Sequence, residues 1–216
     1  RWEEKGRLID LGRTRENQGV VLEVDPYPYV PTLELLASAN RLLLLDNIED
    51  PHNVGAIMRT AEVFGFGPVL LPVRGVPPVL PSVVKASAGA TEHLRIAKDM
   101  AANQVVRHAV EAGFSVAALD GKGDRTFADV LALKPERLLL VCGGEDAGIS
   151  RYILNTADHV VRIPQRGRIG SLNAKKGMTC SQCRRQLSAI AGYFRPQCPS
   201  SKASSAARPA SAFSAR

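Results

Sequence analysis

Three short stretches carry residues that could do chemistry. In Asn53-Val54-Gly55-Ala56-Ile57-Met58-Arg59-Thr60-Ala61, Asn53 stands where a helix cap belongs, and Arg59 interrupts the polar side of an apolar helix pattern. If both residues reach the carboxyl edge of a sheet, the forked Arg59 donors can hold a phosphate or a hydroxyl. In Gly143-Gly144-Glu145-Asp146-Ala147-Gly148, three glycines follow an apolar run, so backbone amides could approach a ligand closely. In Ile163-Pro164-Gln165-Arg166-Gly167-Arg168-Ile169-Gly170-Ser171-Leu172-Asn173, a loop with two glycines closes on Ser171 and Asn173, whose short side chains bond exposed amides or a ligand. Each stretch alone reads equally as a capped helix or a strand-to-helix turn. Two glycine loops after two late, neighbouring strands could wall one pocket between them.

The elements that must position these residues follow from apolar patterning. Leu42–Leu45 and Arg137–Cys142 are continuous apolar runs, as expected of strands covered on both faces. Further strands are expected at Pro68–Leu71, Leu94–Ala97, Phe114–Leu119 and Val160–Ile163. Helices are expected at Asn53–Phe64, from Pro81 to about Ala88, at Met100–Ala112, Phe127–Leu133 and Ile149–Asn155. This alternation predicts an α/β fold, a parallel sheet with helices on both faces. Ahead of it, β-branched content predicts a strand at Val20–Val24. Three prolines make 25–31 an extended connector, and Thr32 is placed to cap a helix over Leu33–Ala39. Residues 17–40 read as connector, 41–195 as the main domain, and the Ser/Ala/Arg/Pro-rich 196–216 as a disordered tail.

Composition narrows the function classes. The chain has 216 residues and a net charge of +7. Residues 174–216 hold eight Lys/Arg and no Asp or Glu, which leaves 20 basic and 21 acidic residues in 1–173. The body is therefore nearly neutral, and its bulk charge is no argument for nucleic acid. At 5% aromatic content, a stacking platform for single strands is not expected. No apolar run is long enough to span a membrane, and the charged start Arg1-Trp2-Glu3-Glu4-Lys5 lacks a secretory apolar stretch, so a cytoplasmic protein is expected. Cys180 and Cys183 have ligand-like spacing without a second Cys/His pair, so no metal site is expected.

Taken together, the three stretches resemble the motifs of the SpoU/TrmH branch of the SPOUT RNA methyltransferases. Asn53–Ala61 is similar to a first motif, Asn-x-Gly-x-x-x-Arg-Thr-Ala. Gly143–Gly148 is similar to a second, with Asp146 in place of a usual glycine, and Ile163–Asn173 to a third. Lys85-Ala86-Ser87-Ala88-Gly89-Ala90 and Asn17-Gln18-Gly19-Val20-Val21 also resemble family segments, the latter that of the large-subunit ribosomal-RNA guanosine 2′-O-methyltransferases. The resemblance implies an α/β trefoil knot on the C-terminal side and a homodimer whose site draws on both subunits. It also implies S-adenosylmethionine as cofactor and an RNA ribose 2′-hydroxyl, in ribosomal RNA, as methyl acceptor. That residues 1–16 are the remnant of an RNA-binding domain is implied only by this resemblance. Arg59, Asn53, Glu145, Ser171 and Asn173 match its catalytic positions. Gly143, Gly144, Gly148, Ile163 and Leu172 match its cofactor positions. The family proposal makes the arginine a base; a guanidinium stays protonated, so Arg59 reads better as an electrostatic stabiliser of the developing alkoxide. Lys175 and Lys176 stand where the family has small apolar residues. They support an alternative, a catalytically impaired member that binds cofactor or RNA without turnover. A generic dinucleotide-binding enzyme ranks third, because no early glycine-rich turn follows Leu42–Leu45.

Overall fold

The computed structural model describes residues 2–12, 15, 17–144 and 147–162. After a helix α1 (Lys5–Gly12) that buries nothing, the chain runs α2 (Thr32–Ser38), β1 (Arg41–Asp46), α3 (Pro51–Val63), β2 (Val69–Leu70), α4 (Pro81–Ser87), β3 (Ile96–Ala97), α5 (Ala102–Glu111), β4 (Ser115–Leu119), α6 (Phe127–Ala132), β5 (Leu138–Gly143), α7 (Arg151–Thr156) and β6 (His159–Val161). The six strands form one parallel sheet in the order β3-β2-β1-β5-β4-β6. The α/β class and the parallel sheet expected from the alternation are therefore what the chain forms. The expected knot, and the tail read at 196–216, lie outside the described residues. Among the described residues, no helix is long and apolar enough to cross a membrane.

The leucine run of β1 shows why the sheet is covered twice. Alternate side chains of a strand point to opposite faces. Leu43 and Leu45 pack with Val54, Ile57 and Met58 of α3 and Val83 of α4. Leu42 and Leu44 pack with Leu35 and Leu36 of α2, Val105 of α5 and Ile153 of α7. All four leucines are 0–1% exposed, so burial on both faces replaces the polar alternation of a one-sided sheet. At the amino edge the Arg137 guanidinium ties elements together. It donates to the carbonyls of Ala112 (2.5 Å), Ala39 (3.2 Å) and Leu36, and its carbon stands 4.0 Å from the centre of the Phe114 ring.

Several local expectations change because the deciding partner is distant in sequence. β5 and β6 are not neighbours; β4 lies between them. Val20–Val24 forms no strand, and Val20, Leu22 and Val24 are exposed. The free edge of β3 is taken instead by Val30, whose amide donates to the Ile96 carbonyl at 2.8 Å. This connector is held by two tyrosines. The Tyr27 hydroxyl donates to the carbonyls of Thr91 (2.5 Å) and Leu94 (3.4 Å), and the Tyr29 hydroxyl accepts from the Val79 amide (2.8 Å). Burial, with a smaller effect from the Glu92 charge, pushes the Tyr27 hydroxyl up to about 12. Thr32 does not cap α2: Pro31 occupies that position, and the Asp99 carboxylate accepts from both the amide and the hydroxyl of Thr32. At the far edge β6 lies between β4 and residue 125. The Asp120 amide donates to Val161, and the Arg162 amide donates to Arg125 on the opposite side.

Asn53 is not the cap of α3. The helix begins at Pro51, a residue pre-set for the first helical position, and the Asp50 carboxylate caps it by accepting from the His52 amide at 2.9 Å. Gly55 then sets how closely α4 can approach. A methyl group there would lie 2.6 Å from the Ala86 Cβ and 2.7 Å from the Val83 carbonyl oxygen. In an exposed helix, glycine to alanine gains about 1 kcal/mol. Here the overlap falls on the backbone of α4, and overpacking of that kind costs about 1–3 kcal/mol. Gly55→Ala is therefore expected to lower the urea midpoint of unfolding, against helix propensity; a raised midpoint would show that α3 and α4 separate without cost.

Candidate active site

The site sits at the carboxyl ends of β1 and β5. Starting from β1, the chain first builds outward through β2 and β3, then crosses to place β5 on the other side of β1. Ligands of open α/β sheets bind in the crevice that such a reversal leaves. In the register of the pair, Asp46 stands opposite Gly143.

Both strands leave the sheet in mutual contact. The Gly144 amide donates to the Asp46 carbonyl at 2.9 Å, and the Gly148 amide donates back to the Gly144 carbonyl at 3.0 Å, closing the loop. The Asp46 carboxylate is buried, 4% exposed, and its Oδ2 accepts from the Ser150 amide at 2.8 Å. The next residue, Asn47, adopts a left-handed conformation (φ 52°), which asparagine tolerates better than most side chains. Its Nδ2 donates to the Gly148 carbonyl at 3.4 Å.

The glycines are needed here for a reason the spacing does not reveal. A methyl group on Gly144 would lie 1.8 Å from the Asn47 carbonyl oxygen, and one on Gly143 would lie 2.6 Å from the Ile149 amide nitrogen. The protein's own backbone, rather than a ligand, forbids a side chain at these two positions. Gly148 differs: it takes φ 62°, a conformation that favours glycine, and among the described residues a methyl group there meets nothing within 4 Å.

Of the residues singled out from sequence, the structure brings Gly143, Gly144 and Gly148 together in this loop. Asn53, partly buried, lies in the first turn of α3, three residues beyond the capping Asp50 at the same edge. Arg59 is six residues further along, about 9 Å down the helix axis at 1.5 Å per residue. It is exposed and bonds no other described side chain. Helical side chains in general lean toward the amino end of their helix. Glu145, Ile163, Ser171, Leu172 and Asn173 lie outside the described residues. Sequence reasoning missed Asp46 and Asn47, neither of which is among the candidate residues named from the sequence. The available signal was an aspartate ending a run of four leucines.

Asp46, Asn47 and the glycine loop lie together at the switch point of an α/β domain. The sequence profile of the SpoU rRNA Methylase family matches residues 40–179, which spans this crevice. A tRNA/rRNA methyltransferase of Mycolicibacterium gilvum, itself uncharacterized, is 36% identical over 188 residues, covering 82% of this chain and 59% of that protein. A Bacillus subtilis protein assigned to the TrmH family of tRNA/rRNA methyltransferases is 34% identical over 174 residues, covering 78% of this chain and 69% of that one. Among solved structures, an AdoMet-bound rRNA methyltransferase from Sinorhizobium meliloti superposes with a TM-score of 0.66 at 25% identity, over 76% of this chain and 61% of that one. The SpoU methyltransferase AviRb from Streptomyces viridochromogenes gives 0.62 at 25% identity, over 76% and 66%. The chain belongs to the SpoU/TrmH methyltransferase family. It spans 59% of the length of the mycobacterial relative.

Cys142 lies next to the loop but is buried, and burial pushes its thiol up to about 12. A thiol held protonated and out of solvent is a poor nucleophile. Iodoacetamide at pH 8 is expected to leave Cys142 unmodified in the native protein and to alkylate it after denaturation, as read by peptide mass mapping. Rapid native alkylation would show that β5 opens.

Proposed function

We propose that this chain binds S-adenosylmethionine in the crevice between β1 and β5 and transfers its methyl group to a ribose 2′-hydroxyl of RNA, with ribosomal RNA as the substrate class. The observation that carries the reading is the Gly143–Ser150 loop fastened to the end of β1, with the Asn53–Arg59 helix leaving the same edge. Family membership over residues 40–179 gives that geometry its chemistry.

The described residues fit an adenosine-bearing sulfonium ligand. The loop presents backbone at Gly143 and Gly144, both partly exposed, and Gly148 closes it in a left-handed conformation. Gly143, Gly144 and Gly148 would hold the ligand, with Ile163 and Leu172 from the third motif completing the contact. When bound, S-adenosylmethionine supplies an electrophilic methyl group on a good, neutral leaving group.

The protein's own task is to hold the acceptor hydroxyl in line and to favour its deprotonated form. Arg59 stabilises the negative charge growing on the ribose oxygen and clamps the adjacent phosphate; a guanidinium is already protonated, so the hydroxyl proton passes to solvent water as the oxygen–methyl bond forms and the methyl–sulfur bond breaks. Asn53, in the first turn of α3, orients the substrate at the edge from which that helix starts. Glu145 orients the nucleophile or a partnering arginine, and Ser171 and Asn173 hold substrate and loop. The acceptor approaches a homodimer in which the second subunit completes the site.

The test is calorimetry with S-adenosylmethionine, together with the oligomeric mass and transfer of a labelled methyl group to ribosomal RNA, located by resistance of the product to alkaline cleavage. A monomer that binds no S-adenosylmethionine would sink the proposal. Binding without transfer to any RNA would favour the alternative of an impaired member, which the Lys175-Lys176 pair suggests. For an active chain, Arg59→Ala is expected to lower turnover by about 10²–10³-fold, the scale for losing one preorganised charge donor. Affinity for S-adenosylmethionine should stay within twofold. Unchanged turnover would remove Arg59 from the mechanism.

A further inference from the structure

Two consecutive residues, Asp46 and Asn47, tie the end of β1 to the glycine loop. Asp46 accepts from the amides of Gly144 (2.9 Å, through its carbonyl) and Ser150 (2.8 Å, through its carboxylate). Asn47 donates to the carbonyl of Gly148 at 3.4 Å. These bonds fall at Gly144, at Gly148 and at Ser150, so the loop is fixed at its start, near its end and just after it.

Asn47 is in turn held from the other side. The β2–α4 loop brings Gly75 (φ 77°) so close that a methyl group there would lie 3.0 Å from the Asn47 Oδ1 and 3.5 Å from its Cα. That loop cannot drift away, because the Lys98 ammonium, reaching from the end of β3, donates to the carbonyls of Pro72 (2.6 Å) and Val76 (2.7 Å). The left-handed backbone of Asn47 is therefore over-determined by its neighbours, a condition that clusters at functional sites. A buried, hydrogen-bonded carboxylate beside a strained asparagine is more than a turn at this position requires.

We infer that Asp46 and Asn47 are positioning residues for the methyl-donor loop. They set the distance between the glycine loop and the α3 edge, and so the affinity for the adenosine-bearing ligand, without touching it. The inference rests on the reading of this crevice as an S-adenosylmethionine site and goes beyond it by assigning the loop's placement to β1.

Two variants separate positioning from mere folding. Asn47→Gly keeps the left-handed backbone, which glycine adopts freely, and deletes only the side-chain amide. Asp46→Asn keeps an oxygen that can accept from Ser150 but removes the charge that strengthens that bond. S-adenosylmethionine binding is measured by calorimetry and the thermal midpoint by calorimetric scan without ligand, for both variants and the parent chain. Each variant is expected to bind about five- to tenfold more weakly, the effect of one net hydrogen bond. For Asn47→Gly the ligand-free midpoint should stay within about 2 °C, less than 1 kcal/mol in a chain of this size. Should Asp46→Asn fail to fold, Asn47→Gly alone decides. If the parent binds and Asn47→Gly binds within twofold of it, the positioning role is wrong while the site stands. A lowered midpoint with unchanged affinity assigns the pair to stability alone and likewise overturns the inference. A parent that does not bind overturns both readings.

Discussion

β1 has no surface of its own. Its leucines are shut in by helices above and below, and its two edges are paired to β2 and β5. Nearly everything else in the domain is placed relative to it. A strand enclosed on all sides resists slipping in register, because a shift of one residue would put Arg41 or Asp46 in the place of a buried leucine. The consequence is felt at its carboxyl end, where Asp46 emerges at a fixed height opposite Gly143. The amino edge is secured by different means, the Arg137 fork across α2, α5 and the start of β5. One edge of the sheet is thus stapled for stability, and the other carries the glycine loop and the start of α3.

Much of this was legible in the sequence, and most of what was not depends on a partner far away in the chain. Continuous apolar runs located β1 and β5, and Pro81 with Gly89 bounded α4, because those signals are local. Thr32 and Asn53 were misread as caps, since each is a good cap by type. The real partners were Asp99, 67 residues away, and Asp50 with Pro51 beside it. Val20–Val24 has the composition of a strand, yet the β3 edge it could have joined is taken by Val30. Propensity describes what a segment can do; an occupied edge decides what it does.

At the site, the glycines were found but their cause was not. A glycine-rich loop after a strand suggests a ligand pressed against the backbone, whereas Gly143 and Gly144 are required by contacts within the protein. Asp46 was passed over because an aspartate close to Glu49 and Asp50 looks like ordinary turn chemistry. Only the pairing of β1 with β5, nearly a hundred residues apart, turns it into a buried acceptor for Ser150. The resemblance to a known family supplied the chemistry, and the structure supplied the mechanics that hold it.

The closing of both sheet edges has a further meaning. Val30 covers β3 between two prolines, and Arg125 covers β6 from the side away from β4. An open sheet normally invites another strand, and with it uncontrolled growth. This one is terminated at each end by a single residue of its own chain, as if it were a barrel that never needed to close. Among the described residues, neither outer strand therefore offers its whole edge to a strand of another molecule.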